Sequence, residues 1–242
     1  MVYQPVIPIT GYGGWKFLES TFDQQFEGFT DSASVRNDRE YFQEKMSSPV
    51  AIEDFLSDRR LLRISLTSFD LGGEEWKVGF LRHMMEEQAD PDSSFLKRLN
   101  SPAYTAFATT FTVTDGKISL SQDTIASLAD DFERAAFRSA VGNVDNNMKL
   151  SLNYEAKVGD LVREGSSDEA NLYRLLGDVP TRTVLETALN LPTSWQQLDV
   201  DQQADILKER VLSVFSISKI TDLANEDVMD KVLQRFHTMD SI

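Results

Sequence analysis

Residues 54–71, DFLSDRRLLRISLTSFDL, return 120 positions later as RLLGDVPTRTVLETALNL at 174–191. Phe55-Leu56 lies over Leu175-Leu176, Asp58 over Asp178, Ile64 over Val184, Phe69 over Leu189 and Leu71 over Leu191. The echo extends to both sides. At an offset of 112, YFQEKM lies over NYEAKV, matching Phe42 with Tyr154, Lys45 with Lys157 and Met46 with Val158. FLRHMM matches ILKERV at 126, and RLNSPAYTAFATTF matches LANEDVMDKVLQRF at 125. Any two amphipathic helices slide into partial register, but four segments in one order, with the offset changing only at loops, are a tighter constraint. Matched apolar positions with drifting polar ones are what a packed interior demands. The chain is therefore expected to be duplicated, its two helical halves packing as one core or as two lobes.

Local signals agree with helices. Ser48-Pro49 opens a short one through Leu56, and Ser57 or Asp58 caps the next, which carries Leu62, Leu66 and Phe69 and ends at Gly72-Gly73. A helix from about Glu74 turns Phe80, Leu81, Met84 and Met85 inward. ADPDSS is turn chemistry, and Ser101-Pro102 then opens a helix with Tyr104, Phe107, Ala108 and Phe111. Ser121 or Asp123 caps a long helix that Gly142-Asn143 interrupts, and another runs from about Asp145 to Val162. Only TVTDGKISLS at 112–121 alternates as strands do, around Asp115-Gly116. The expected fold is all-α: a bundle of about nine or ten helices in two related halves, with one short β-hairpin near 112–121. An N-terminal arm and aromatic helix take 1–30, the first half 31–120 and the second half 121–242.

Charge narrows the partners. The 39 acids outnumber the 24 bases for a net charge of −15. A field of that sign repels phosphate backbones and anionic headgroups, so neither nucleic acid nor a membrane surface is expected as a partner. No stretch approaches the roughly 18 apolar residues of a membrane span. MVYQPVIPITGYGG lacks the basic start and unbroken apolar core of a cleaved signal. Cysteine is absent, which removes disulfides, thiolate metal sites and thiol nucleophiles together.

Chemistry-bearing motifs are equally sparse. The two histidines, His83 and His237, stand in no HExxH or comparable frame, and no GxSxG occurs. DVDQQAD at 199–205 begins like an EF-hand loop but has Ala204 where glycine belongs and Arg210 where the bidentate glutamate belongs. GYGG at 11–14 has neither the lysine nor the preceding strand of a phosphate cradle. No catalytic, cofactor or metal residue is assigned, and the chain is expected to be no enzyme.

One feature suggests binding. Trp15, Leu18, Phe22, Phe26 and Phe29 are spaced three, four, four and three apart, one stripe of a helix beside the glycine-rich arm at 1–14. Such a stripe can dock on another protein as an amphipathic helix does in a groove, or can cover the chain's own core.

The run YFQEKMSSPVAIEDFLSDRRLL, the FDL before a turn, FLRHMMEEQADPDSSFLKRLNSPAYTAFA and later LLGDVPTRTVLETALNLP, DILKERV and VLQRF resemble a family of bacterial proteins of unknown function encoded within flagellar gene clusters. The resemblance covers roughly residues 35–238. It implies a setting in flagellar assembly, structure or regulation, with a cytoplasmic or flagellum-associated location, and it carries no catalytic residues. The function expected is a non-enzymatic interaction protein whose apolar helical surfaces meet other proteins, flagellar components among them. The alternative is a ligand-binding or enzymatic module with a pocket between the halves, collecting polar side chains around Arg59, Arg60 or Tyr154.

Overall fold

A computed structural model of the chain describes residues 3–88, 95–99 and 101–240. Among them lie thirteen α-helical segments. These are α1 (Gly11–Thr30), α2 (Ala33–Met46), α3 (Ile52–Ser57), α4 (Arg59–Thr67), α5 (Val78–Gln88), α6 (Phe95–Leu99) and α7 (Pro102–Thr110). They continue as α8 (Gln122–Val144), α9 (Asn146–Leu161), α10 (Asp168–Gly177), α11 (Val179–Ala188), α12 (Val200–Phe215) and α13 (Glu226–Met239). The fold is all-α, as expected, in more and shorter segments than nine or ten. The turn expected at 89–94 lies outside the described residues.

Contacts divide the chain into two units, residues 1–4 with 24–137 and residues 5–23 with 138–242. The divisions fall inside α1 and inside α8, rather than at 30 and 120. Neither point carries turn chemistry, because both helices run on without a break.

In the first unit α2 packs on α4, and α5 packs on α6 and α7. Phe42, Phe55, Leu62, Ile64, Phe107 and Phe111 have no exposed surface. The rings of Phe55 and Phe111 lie 5.0 Å apart and those of Phe107 and Phe111 4.9 Å apart, the spacing of an aromatic cluster. The hairpin is present as β2 (Val113–Thr114) and β3 (Lys117–Ile118), and β1 (Val50–Ala51) pairs antiparallel with β3, giving the order β1-β3-β2. Asp115 at φ 52° and Gly116 at φ 74° make the left-handed two-residue turn that Asp-Gly favours.

In the second unit α11 packs against α9 and α13, and α10 against α12. Met148, Tyr154, Leu175, Val184, Leu185, Val211, Val232 and Leu233 have no exposed surface. The arm expected over 1–14 is shorter than that, since Gly11 through Gly14 already belong to α1. Gly14 is required there: a Cβ on it would lie 1.9 Å from the carbonyl oxygen of Ile9. The break expected at Gly142-Asn143 is absent, and α8 continues to Val144 before Asp145 caps α9 through the N–H groups of Asn147 and Met148.

The duplication read from the sequence recurs in local structure. Asp58 accepts from the Leu61 N–H at 3.0 Å to start α4, and Asp178 accepts from the Thr181 N–H at 3.0 Å to start α11. Lys45 lies 3.7 Å from Asp58, and its counterpart Lys157 lies 3.8 Å from Asp178. Phe107, Ala108 and Phe111 of the first half, and Val232, Leu233 and Phe236 at an offset of 125, are all buried. α4 ends at Thr67, before the glycines expected to stop it, because the chain turns through Asp70 rather than through Gly72-Gly73.

Candidate protein-docking surface

The connector between α4 and α5 is built from consecutive turns. The Leu71 N–H returns to the Leu66 carbonyl at 2.9 Å, the Glu74 N–H to Leu71 at 3.2 Å and the Lys77 N–H to Glu74 at 2.9 Å. α5 then begins at Val78, four residues later than expected. Trp76 falls inside the last of these turns, and its side chain is 76% exposed.

The backbone beneath Trp76 is tied down by a polar triangle. Lys77 is ion-paired with Glu74, the Tyr104 hydroxyl donates to Glu74 Oε2 at 2.9 Å, and Lys77 Nζ lies 3.3 Å from that hydroxyl. The Lys77 hydrogen bond holds the Glu74 carboxyl below its ordinary range, while burial, then the Glu74 carboxylate, push the Tyr104 phenol up. Lys77 Nζ also sits 5.3 Å from the Trp76 ring and 5.9 Å from the Tyr104 ring, cation–π distances that join the two aromatics.

Further rings continue the patch. Phe80 meets Tyr104 edge-on at 5.1 Å and lies 6.0 Å from Phe95. Phe80 and Tyr104 are half-buried, not interior as the helical pattern suggested. Tyr104 belongs to the inner side of α7, PAYTAFATT, which contains no charged residue. Its inner side seats Phe107 and Ala108, and its outer side presents Pro102, Thr105, Ala106 and Thr109 to solvent. A shallow groove of about 520 Å³ runs along it, lined by Leu96, Pro102, Thr105, Ala106 and Thr109.

The stripe singled out in the sequence is placed otherwise. Trp15 and Leu18 are 1% and 0% exposed, and Trp15 stacks on His237 at 6.1 Å. Phe29 is buried between Tyr3 and Phe137, Phe26 lies edge-on to Phe137 at 5.5 Å, and Phe22 is half-buried. Trp15, Leu18 and Phe29 thus pack within the chain, while Phe22 and Phe26 keep part of their surface exposed. Trp76 was missed because nothing in its neighbours' spacing marks exposure. Of the polar groups considered, Arg60 pairs with Asp38 at 2.7 Å, and Tyr154 has no exposed surface.

Other polar groups are paired in ways that suit structure. Ser151 and His237 are 0% and 2% exposed, with Ser151 Oγ 2.9 Å from His237 Nε2. The hydroxyl donates to the Asn147 carbonyl at 2.9 Å, so its proton points away from the imidazole that a nucleophilic serine would need as base. In the second unit a cleft of about 270 Å³ is edged by Glu186, Asn190 and Gln196, with Gln196 donating to Glu186 at 2.7 Å. Another, of about 300 Å³, is edged by Tyr173, Asp201 and Lys208, and the Tyr173 hydroxyl donates to Asp201 at 2.6 Å. Among the described residues no three His, Asp or Glu side chains converge as metal ligands, and no helix is long and apolar enough to cross a membrane.

The DUF1217 profile, described as protein of unknown function, matches residues 68–229. The chain belongs to the DUF1217 family. That match takes in the exposed connector, α7 and most of the second half. The fold is similar to that of the crystal structure of protein AGR_C_984 from Agrobacterium tumefaciens, a structural genomics target. It shares 22% identity and a TM-score of 0.71, over 99% of this chain and 98% of that one. No curated protein matches the chain.

Proposed function

We propose that this DUF1217 protein is a non-enzymatic interaction protein associated with flagellar assembly or structure. The observation that carries the reading is Trp76, 76% exposed on a connector whose backbone is held by consecutive turns, with Lys77 5.3 Å from its ring. An indole held in water forgoes the largest apolar burial any side chain offers, and rigid aromatic anchors dominate the energetics of protein interfaces. The flagellar setting is supported by the resemblance over residues 35–238 to proteins encoded in flagellar gene clusters.

Deletion of the gene in a motile host, with complementation by the wild-type chain or by Trp76→Ala, tests the proposal. Deletion is expected to impair flagellation or swimming, with wild type restoring it and Trp76→Ala restoring it poorly. Normal flagella and normal swimming after deletion would overturn it.

A further inference from the structure

We infer that the cleft between the end of α11 and the 3-10 turn Thr193–Gln197 binds a small uncharged polyol, with a single sugar ring as the ligand class. All of its residues belong to the second unit, so the site stands independently of Trp76 and of the interaction reading.

The duplication shows that packing does not ask for this cleft's chemistry. The caps Asp58 and Asp178 and the left-handed residues Asp70 and Asn190 fix the register of α4 on α11 at an offset of 120. In that register Arg182 and Glu186 replace Leu62 and Leu66, both without exposed surface in the first half. Leucines therefore serve this face of the motif, and an ion pair in their place gains little stability against its desolvation. Arg182 Nε lies 3.2 Å from Glu186 Oε1, and Arg182 Nη1 donates to the Leu176 carbonyl at 3.2 Å. Gln196 reaches across from the turn and donates to Glu186 Oε2 at 2.7 Å. The turn is in turn fastened to α12, since Gln203 Nε2 donates to the Leu198 carbonyl at 2.8 Å. The polar floor and its rim are thus set before a ligand arrives.

The cleft encloses about 270 Å³, at the lower edge of the range for small-molecule sites, which limits the ligand to about one ring. Of the residues lining it Glu186 alone is ionisable, and Arg182 balances its charge. Nearby cations are engaged elsewhere. Arg210 donates to the Leu189 carbonyl and Arg235 to the Ala188 carbonyl, both at 2.9 Å, where they meet the negative end of the α11 dipole. Asp240, next to Met239, accepts from the Asn147 amide. Little net charge is left to hold an ion.

What remains are groups that both donate and accept, the hydroxyls of Thr187 and Thr193 and the Asn190 amide. None of these three side chains has a hydrogen-bond partner among the described residues. Glu186, with 14% of its side chain exposed, only accepts, so the ligand must bring donors to it. Vicinal hydroxyls supply donors and acceptors together without charge, and the C–H face of a sugar ring suits the apolar edge made by Pro192 and Met239.

The test is an NMR titration of the full isotope-labelled chain with glucose, galactose, mannose and glycerol. Each is raised to about 20 mM, enough to fill most of a site with a millimolar Kd, with methylammonium and acetate as the cation and anion controls. At least one of the four is expected to shift the Asn190 and Gln196 side-chain amide signals and the Trp195 indole signal saturably, leaving the Trp76 indole in place. Asn190→Gly keeps the left-handed backbone and removes the amide, so it should bind at least about tenfold more weakly while gaining stability. Arg182→Leu with Glu186→Leu restores the residues of the first half and should abolish saturable binding with the circular dichroism spectrum unchanged. Glu186→Gln, the milder change, should weaken binding about tenfold and reads the carboxylate even where the leucine pair disturbs folding. No saturable shift with any of the four, undiminished binding by Asn190→Gly and Glu186→Gln, or stronger shifts of the same signals with methylammonium or acetate would each overturn the inference.

Discussion

Asp70 and Asn190 occupy the same left-handed position in the same helix-ending motif, at φ 58° and φ 51°. In both halves the next residue's N–H returns to the carbonyl five back, Leu71 to Leu66 and Leu191 to Glu186, each at 2.9 Å. The residue's own N–H returns three back, Asp70 to Thr67 and Asn190 to Thr187, each at 3.0 Å. This is the Schellman geometry, in which glycine is the usual left-handed residue and Asn or Asp the tolerated substitutes.

Stability at position 190 should therefore follow left-handed tolerance. Asn190→Gly is expected to raise the unfolding free energy by up to about 1 kcal/mol, and Asn190→Val to lower it by about 1–2 kcal/mol. Urea unfolding followed by circular dichroism measures the order Gly, Asn, Val. A valine variant as stable as wild type would contradict the backbone assignment.

The matched positions 42 and 154 make a second test. Tyr154 has no exposed surface and its hydroxyl has no hydrogen-bond partner among the described residues, while its counterpart in the first half is Phe42. Burial pushes the phenol's pKa far up, so it stays neutral at any working pH. An unpaired buried hydroxyl carries its desolvation penalty uncompensated, so Tyr154→Phe should stabilise the protein by about 1 kcal/mol. Phe42→Tyr should destabilise by about 1–3 kcal/mol for the same reason. Denaturant midpoints for the two variants, moving in opposite directions, would verify the pairing.

Stability should also depend on pH through His237. Burial lowers its pKa, with Asp145 and Asp240 pulling weakly the other way. The folded chain thus binds this proton less readily than the unfolded chain, whose histidine titrates near the ordinary value of 6.5. The unfolded state holds more protons between the two values, so the stability His237 contributes falls as pH drops below about 6.5 and levels off above it. Burial raises the Glu155 carboxyl to about 7, so it titrates over the same range with the opposite sign. The histidine is therefore read by difference: wild type should lose stability relative to His237→Phe, which keeps an aromatic ring against Trp15, as pH falls from 7.5 through about 6.5. Thermal melts across that range distinguish the two proteins.

The ion pairs that Lys45 and Lys157 make with Asp58 and Asp178 are set by tertiary packing across 13 and 21 residues. Asp58 was legible in the sequence as a cap, and the echo matched it with Asp178 and Lys45 with Lys157. The buried faces of α7 and α13 were legible for the same reason. The ends of α4 and α8 were not. α4 stops at a non-glycine left-handed residue, Asp70, and α8 ignores Gly142 because helix continuation there is settled by packing. Exposure of Trp76 was also beyond local pattern. The matching connector of the second half carries Trp195, at 2% exposure, and sequence alone does not separate the two. The neutral outer face of α7 was readable, since the aligned residues of α13 are charged, but only as a contrast between halves.

Trp76 should account for nearly all quenchable fluorescence. The other two tryptophans, Trp15 and Trp195, are 1% and 2% exposed, so a collisional quencher reaches them only through opening of the fold. Acrylamide is the suitable quencher, because a net charge of −15 repels iodide and would mask exposure. Trp76→Phe should shift the emission maximum to the blue and reduce the acrylamide quenching constant severalfold. Its side chain contributes little to the folded interior, so the urea midpoint should correspond to a change within about 0.5 kcal/mol. Unaltered quenching in the variant would mean that the ring is covered in solution, by a second copy or by the chain itself. Trp76 would then be occupied in the isolated protein rather than held open for a partner.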